Sequence, residues 1–574
     1  MSNDLENLWG DDFIVPKDND KAKQVKEKIK KPSTSKKTVT DKSDIKKAVK
    51  SNSISLTEKL KLIEIEVLRV LGKQKDNVIV IYDYNEYIKY LENALRYGRI
   101  AIDTETNNSL DPITCKIMGL CLYYNGGKQA YVPVNHRNPI TKERLSNQLQ
   151  ESDIKDGLDF LINNKTFNSP FIVTHNGKFD YQVIKCTTGV SIPIHWDTLI
   201  GAKLLDENEF SARLKDQYVN KIDPEQEKYS IDHLFEGVEY ADVDPEIFAL
   251  YAATDSMMTD KLYQWQMDKF KDPDLKNILN LANTIEMPLV QVIAEMELAG
   301  MEVDQEYAQK LSAKYHTKLD IIDNKIATEL ENLRPMIEAW RLTPEANFQP
   351  RSKKPNKDGE YKLQKSKNEQ LKDPIELNSP TQLAILFYDI LKAPVVNTKS
   401  PRGTGEDELE AINKKLKLPI CDLIIQRRGI VKLLTTYIDT IPELAKRWPD
   451  GRVRTHFNAY GAATGRLSSS HPINFQNIPS HERTIRLLFK AKDGYRICSA
   501  DFSAQEPRIA AFKAQDEAMT NAYLEGKDLY SVIASISFDK PYEDCLEFFP
   551  EGTEIMYEGK KTITGHKTHQ NDEG

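Results

Sequence analysis

The sequence predicts a multidomain chain of α/β and α+β type. Three observations carry that expectation. Apolar, β-branched runs punctuated by turn residues crowd the stretch after Asn77; helical patterns dominate from about Asp272 to Arg447; short strands return after Gly451. A length of 574 residues leaves room for roughly two to four domains.

Composition excludes several classes. Forty per cent hydrophobic residues is enough for ordinary cores. The net charge of −8 does not announce a nucleic-acid binder, although a local basic surface is all that such binding needs. The six cysteines, Cys115, Cys121, Cys186, Cys421, Cys498 and Cys545, form no CxxC pair and are expected as buried small hydrophobes rather than disulfides or zinc ligands. The start, MSNDLENLWGDDF, lacks the apolar core of a signal peptide, and no apolar run reaches the ~18 residues of a membrane helix. The expected location is the cytoplasm of a host cell.

Residues 1–75 are expected to be a disordered, lysine-rich tail. Lys17 to Lys50 holds thirteen lysines against five carboxylates and no aromatic residue, too little to bury. Such a tract serves as a linker or grips DNA phosphates non-specifically. Ahead of it, Leu8, Trp9, Phe13 and Ile14 form a candidate docking peptide for a partner. Residues 76–275 are expected as the mixed α/β domain. NVIVIYDY and RIAIDTET read as strands, and IMGLCLYYNGGKQAYVPV as a hairpin turning at Gly126-Gly127. FIVTHNGKFD reads as a strand running into a turn, and PEIFALYAATDSMMTDKLYQWQ as a helix. Residues 276–450 are expected as a helical region with a polar insertion at 341–375. Residues 451–545 return to strands, YRICSADFS being the clearest, and 546–574 are a divergent polar tail.

Four carboxylates in the first domain stand out. Asp103 and Glu105 sit at i and i+2 on a strand and so share a face. Asp180 ends HNGKFD, and Asp255 lies one helical turn after Tyr251. Hard divalent cations want carboxylate oxygens, and two-metal phosphodiester hydrolysis needs several of them between two ions. Each signal alone is weak; the set is strong. Asp-x-Glu on a strand, then Asn-x-x-x-Asp, then Tyr-x-x-x-Asp resembles the tyrosine-bearing branch of the DEDD 3′→5′ exonucleases, over about Asn77 to Phe270. The resemblance implies a ribonuclease-H-like fold. It implies metal ligands at Asp103, Glu105, Asp180 and Asp255, Tyr251 orienting the water, and Asn176 and Lys178 beside the substrate strand.

The second half resembles family A DNA polymerases, particularly their bacteriophage branch. The stretches are PLVQVIAEMELAGMEVD, LNSPTQLAILFYDIL, RRGIVKLLTTYIDTIPELA, TGRLSSSHPINFQNIP and DFSAQEPRIAA. The resemblance implies a helical thumb followed by part of a palm. Asp501 would be a metal ligand, Glu506 would line the sugar pocket, and Arg508 would contact substrate. Arg466, Asn474 and Gln476 would donate to minor-groove acceptors, a sequence-blind check of base-pair shape. Mg²⁺ or Mn²⁺ is expected, two ions per active site. The partners implied are DNA, as primer-template or single-stranded 3′ end, and deoxynucleoside triphosphates.

After the last of these stretches the family's fingers helix and second palm carboxylate are expected, and TITGHKTHQNDEG offers neither. The expectation is therefore a DNA polymerase of phage DNA replication with a proofreading exonuclease, whose synthesis needs a C-terminal fragment encoded elsewhere. A replication factor on the N-terminal peptide is a further expected partner. The competing expectations are a stand-alone 3′→5′ exonuclease and a non-catalytic DNA-binding or assembly protein.

Overall fold

The computed structural model describes residues 55–107, 109–225, 234–352, 361–462, 464–479, 482–546, 548–549, 554–557, 560–563 and 568–569. The candidate docking peptide and the Lys17–Lys50 tract lie outside the described residues. The chain divides into two units, Met1–Lys490 and Ala491–Gly574. The division falls inside the stretch 451–545 that the sequence suggested as one segment.

The first unit begins with helix α1 (Leu56–Leu71), which corrects the expectation of a disordered tail up to residue 75. The reason is local. Ser55 and Glu58 form a reciprocal capping box. Ile63, Val67 and Leu71 recur at helical spacing and pack with Leu234, Phe235 and Phe248.

A six-stranded sheet follows, in the order β1-β4-β3-β2-β5-β6. Its strands are β1 (Val78–Val80), β2 (Arg99–Thr106), β3 (Ile117–Tyr123), β4 (Gln129–Pro133), β5 (Phe171–Thr174) and β6 (Trp196–Asp197). β3 runs antiparallel to both of its neighbours, β2 and β4, whereas β5 is parallel to β2, and β6 to β5. The hairpin between β3 and β4 turns at Gly126, whose φ of 95° only glycine adopts readily. Helices α2 (Tyr84–Tyr97), α3 (Glu151–Ile162) and α4 (Gly177–Thr188) join one core with Ile100, Ile102, Leu120 and Leu122. Short helices α5 (Thr198–Leu205) and α6 (Leu214–Lys221) lead toward α7 (Pro245–Lys269), which starts at an Asp244 cap with Pro245 in its first turn. Ala249, Ala252 and Ala253 are fully buried, and their small side chains let α7 lie close to the sheet.

Beyond this domain α8 (Met287–Ala299) ends at Gly300 and passes into β7 (Met301–Val303). The long α9 (Gln305–Arg341) then packs with α10 (Glu406–Leu416) and α11 (Pro419–Leu433) in a separate core around Trp340, Phe387, Leu409 and Ile424. The expected polar insertion is not all irregular: Pro344–Asn347 and Lys367–Gln370 are helical turns, and Ala346 and Leu371 are buried. Residues 353–360 lie outside the described set. β8 (Arg452–Val453), β7 and β11 (Phe489–Lys490) form a small sheet, and β9 (His456–Asn458) pairs with β10 (Ser468–Ser470).

In the second unit α12 (Gln505–Ala514), α13 (Glu517–Leu524) and α14 (Leu529–Phe538) follow an irregular lead. The strand expected at YRICSADFS is absent: residues 495–502 form neither strand nor helix. A strand exists only with a hydrogen-bonded neighbour, and Tyr495, Ile497 and Phe502 stand 72%, 56% and 78% exposed. The cysteine expectation also needs correction. All six are free, but only Cys121 and Cys421 are buried, while Cys186 and Cys498 are exposed.

Candidate exonuclease site

Strand β2 turns two faces to different neighbours. Ile100 and Ile102 enter the main core, while Ala101 shares a cluster with Tyr123, Met257 and Met258 beneath α7. Asp103 and Glu105 continue the Ala101 parity, so they lie on the α7 side. In register, Asp103 opposes Cys121 and Glu105 opposes Gly119. A Cβ at Gly119 would fall 2.6 Å from the Tyr131 ring, so glycine is needed where that ring crosses β3.

Asp180 reaches the same place from α4. The sequence suggested a turn here, but Asp180 lies in the first turn of a helix. Asn176 caps that helix in the left-handed region, φ 60°, a conformation asparagine tolerates. One Asp180 oxygen accepts both the Thr104 amide N–H, at 2.8 Å, and the Thr104 hydroxyl, at 2.7 Å. α7 supplies Tyr251 and Asp255, one turn apart.

Asp103 feels the charges of the other three carboxylates. Burial, then the charges of Asp180, Glu105 and Asp255, push Asp103 well above the usual carboxylate range, with Lys215 opposing. Burial likewise raises Asp180, to about 7, against the two Thr104 hydrogen bonds. Asp103 and Glu105 remain partly accessible to solvent. Such crowding of negative charge is costly unless a cation enters. The donor set is mostly hard oxygen and fits a divalent ion of the magnesium type. Potential donor atoms of Asp103, Glu105 and Cys121 lie within 4.8 Å of one another.

Several neighbours carried no signal in the sequence reading. Lys215 of α6 places its ammonium 3.7 Å from Asp255 and 4.3 Å from the Tyr251 ring centroid. The Tyr251 ring also stands against Phe235, centroids 4.8 Å apart. Asp197 accepts the amides of Asn176, Gly177 and Leu199 at 3.0, 2.8 and 2.9 Å. Thr104 was also missed, although its place between the two carboxylates of β2 could have marked it; Lys215 sits in a stretch with no distinguishing pattern.

Of the other expected residues, Lys178 is held by Glu297 and by the Phe457 carbonyl, both at 2.7 Å. Asn474 accepts the Gln476 amide at 2.9 Å, and the Gln476 side chain donates to the Leu467 carbonyl at 2.9 Å. Arg466 is exposed. In the second unit Asp501 and Glu506 are exposed, and Arg508 donates to the Ser503 carbonyl at 2.9 Å, its guanidinium over the Tyr523 ring at 4.3 Å.

Two family models match these two halves. Residues 78–269 match 3'-5' exonuclease and residues 349–547 match DNA polymerase family A. In these two parts the chain is similar to the 3'-5' exonuclease family and to DNA polymerase family A. Its relatives include DNA polymerase I of Borreliella burgdorferi, 27% identical over 78% of this chain and 43% of that protein. DNA polymerase I of Pseudomonas aeruginosa is 28% identical over 80% of this chain and 45% of that protein. The chain thus spans less than half the length of these curated relatives. The solved POL domain of Pol1 from M. smegmatis, in complex with DNA primer-template and dNTP, matches with a TM-score of 0.57 and 22% identity, over 81% of this chain and 68% of that chain. That likeness shows the fold. Among the described residues no helix is long and apolar enough to cross a membrane.

Proposed function

We propose that this chain hydrolyses the 3′ end of DNA at Asp103, Glu105, Asp180 and Asp255, and that its second half serves template-directed DNA synthesis. The observation that carries the exonuclease reading is the charge crowding on Asp103 by three further carboxylates from β2, α4 and α7. The same convergence supports the ribonuclease-H-like reading. Bound at these carboxylates, two Mg²⁺ or Mn²⁺ ions would supply a nucleophilic hydroxide and stabilise charge on the phosphate and the leaving 3′ oxygen. The chain's own residues do the rest. Tyr251, set by Lys215 and Phe235, orients the attacking water, and the Asn176 turn borders the strand being cut.

For synthesis, the assigned residues are Arg466, Asn474 and Gln476 in the first unit and Asp501, Glu506 and Arg508 in the second. The phage-type placement rests on the motif resemblance; the relatives named above are bacterial. The substrates proposed for synthesis are primer-template and deoxynucleoside triphosphates, in the host cytoplasm.

The test is a 5′-labelled primer-template incubated with the chain, Mg²⁺ and the four deoxynucleotides. Shortened primers that disappear in Asp103→Ala support the exonuclease; shortening that persists in Asp103→Ala defeats it. Lengthened primers would mean that the chain synthesises without a second polypeptide.

A further inference from the structure

Glu297 is 4% exposed and lies near the end of α8, outside the carboxylate cluster. Its Oε1 accepts the Lys178 ammonium at 2.7 Å and the Phe457 amide at 2.6 Å. Its Oε2 accepts the Gln182 side-chain amide at 2.9 Å and faces His456 Nδ1 at 3.5 Å. Burial pushes this carboxyl up, but His456, Lys178 and the Phe457 amide outweigh it and hold Glu297 below the usual range.

The partners come from two places. Lys178 and Gln182 are one turn apart on α4 and flank Asp180, which projects from a different side of that helix. His456 and Phe457 open β9, whose partner β10 closes a hairpin around the loop that contains Arg466. Lys178 also donates to the Phe457 carbonyl at 2.7 Å, so the ammonium and the carboxylate together take up the amide and the carbonyl of one residue. A buried ionic knot of this kind specifies one arrangement, because any slippage leaves a charge unpaired.

We propose that Glu297 is a positioning residue that registers helix α4, and with it Asp180, on the hairpin β9–β10, so that a primer strand on the hairpin side is delivered to the exonuclease cleft in one fixed geometry. The inference rests on the exonuclease reading. A displacement of about 1 Å at a reacting centre can cost a hundredfold in rate, so modest loosening is readable.

The test compares wild type, Glu297→Gln and Glu297→Asp as full chains on two substrates: a primer-template with a mispaired 3′ end and a single-stranded tetranucleotide. The tetranucleotide needs only the cleft. Glu297→Gln is expected to slow hydrolysis of the mispaired primer about tenfold more than that of the tetranucleotide, and Glu297→Asp to restore part of the difference. Equal losses on both substrates, or no loss, would overturn the proposal. If wild type degrades neither substrate, the exonuclease reading fails first. Hydrogen exchange then reads the coupling by itself: the Phe457 amide and the amides of α4 are expected to exchange faster together in Glu297→Gln, and exchange unchanged in α4 would overturn it.

Discussion

Thr104 gives both of its donors to a single oxygen of Asp180, the amide at 2.8 Å and the hydroxyl at 2.7 Å. Strand β2 and helix α4 are thereby joined at the site, and the carboxylate is held toward its ionised form. Burial raises Asp180 to about 7, and Thr104 is the main restraint. In Thr104→Val the amide bond remains and the hydroxyl is lost. Asp180 then titrates above about 7, and its charged form, needed to hold a cation, appears only at higher pH. The acid limb of the exonuclease pH profile is expected to move to higher pH, with about a tenfold loss at neutral pH, the size of one charge-assisted hydrogen bond. A profile superimposable on wild type would contradict this account.

Lys215 is the cation that faces Asp255 and Tyr251 and counters the charge on Asp103. Lys215→Met is expected to lower kcat about ten- to a hundredfold and to raise the Mg²⁺ concentration needed for activity only slightly, since every carboxylate ligand remains. Magnesium titrations at fixed substrate separate the two effects.

Asp103 is destabilising as a charge, because burial and three like charges oppose its ionisation. Asp103→Asn is expected to abolish hydrolysis and, in EDTA at pH 8, to raise stability by about 1 kcal/mol or more, the value of one pKa unit. The melting shift that Mg²⁺ gives wild type is expected to shrink in the same variant. Thermal denaturation with and without Mg²⁺ measures both.

His136 predicts an acid limit to the fold. It is fully buried between the Tyr131 hydroxyl at 2.7 Å and the Val243 carbonyl at 2.9 Å. Burial lowers it from 6.5 to about 4. A depressed histidine favours folding while neutral, so its contribution is complete above pH 6.5 and is lost as pH falls from 6.5 toward 4. The loss is about 3 kcal/mol. His136→Gln is expected to be less stable than wild type at pH 7.5 but to show a flatter decline between pH 6.5 and 4 in denaturant titrations.

Much of the exonuclease half could be read from its sequence. RIAIDTET is the whole of β2, the glycine pair marks the β3–β4 turn, and PEIFALYAATD opens α7. These signals are local: alternation, a positive-φ turn, a proline after a capping aspartate. Leu56–Leu71 was missed because a lysine-rich tract next to it masked an amphipathic repeat of ordinary strength. Lys215 and Glu297 were missed for a different reason. Each acts through partners far away along the chain, and nothing in a one-dimensional pattern reports a contact between residues 178, 297 and 457. YRICSADFS failed in the opposite direction, since its strand propensity is real but finds no hydrogen-bonded neighbour among the described residues.

Asp197 sits at the start of two helices at once, accepting amides from the first turns of α4 and α5. The amino end of a helix is ordinarily a receptor for phosphate. Here that receptor is plugged from within by a buried carboxylate. A nucleic-acid backbone crossing this side of the domain finds no vacant pole at α4 to rest on, and a phosphate that settled there would have to expel Asp197 and unmoor both helices. On the proposed exonuclease reading, a strand passing the start of α4 is gripped there through side chains and ions, because Asp197 already occupies the Asn176 and Gly177 amides.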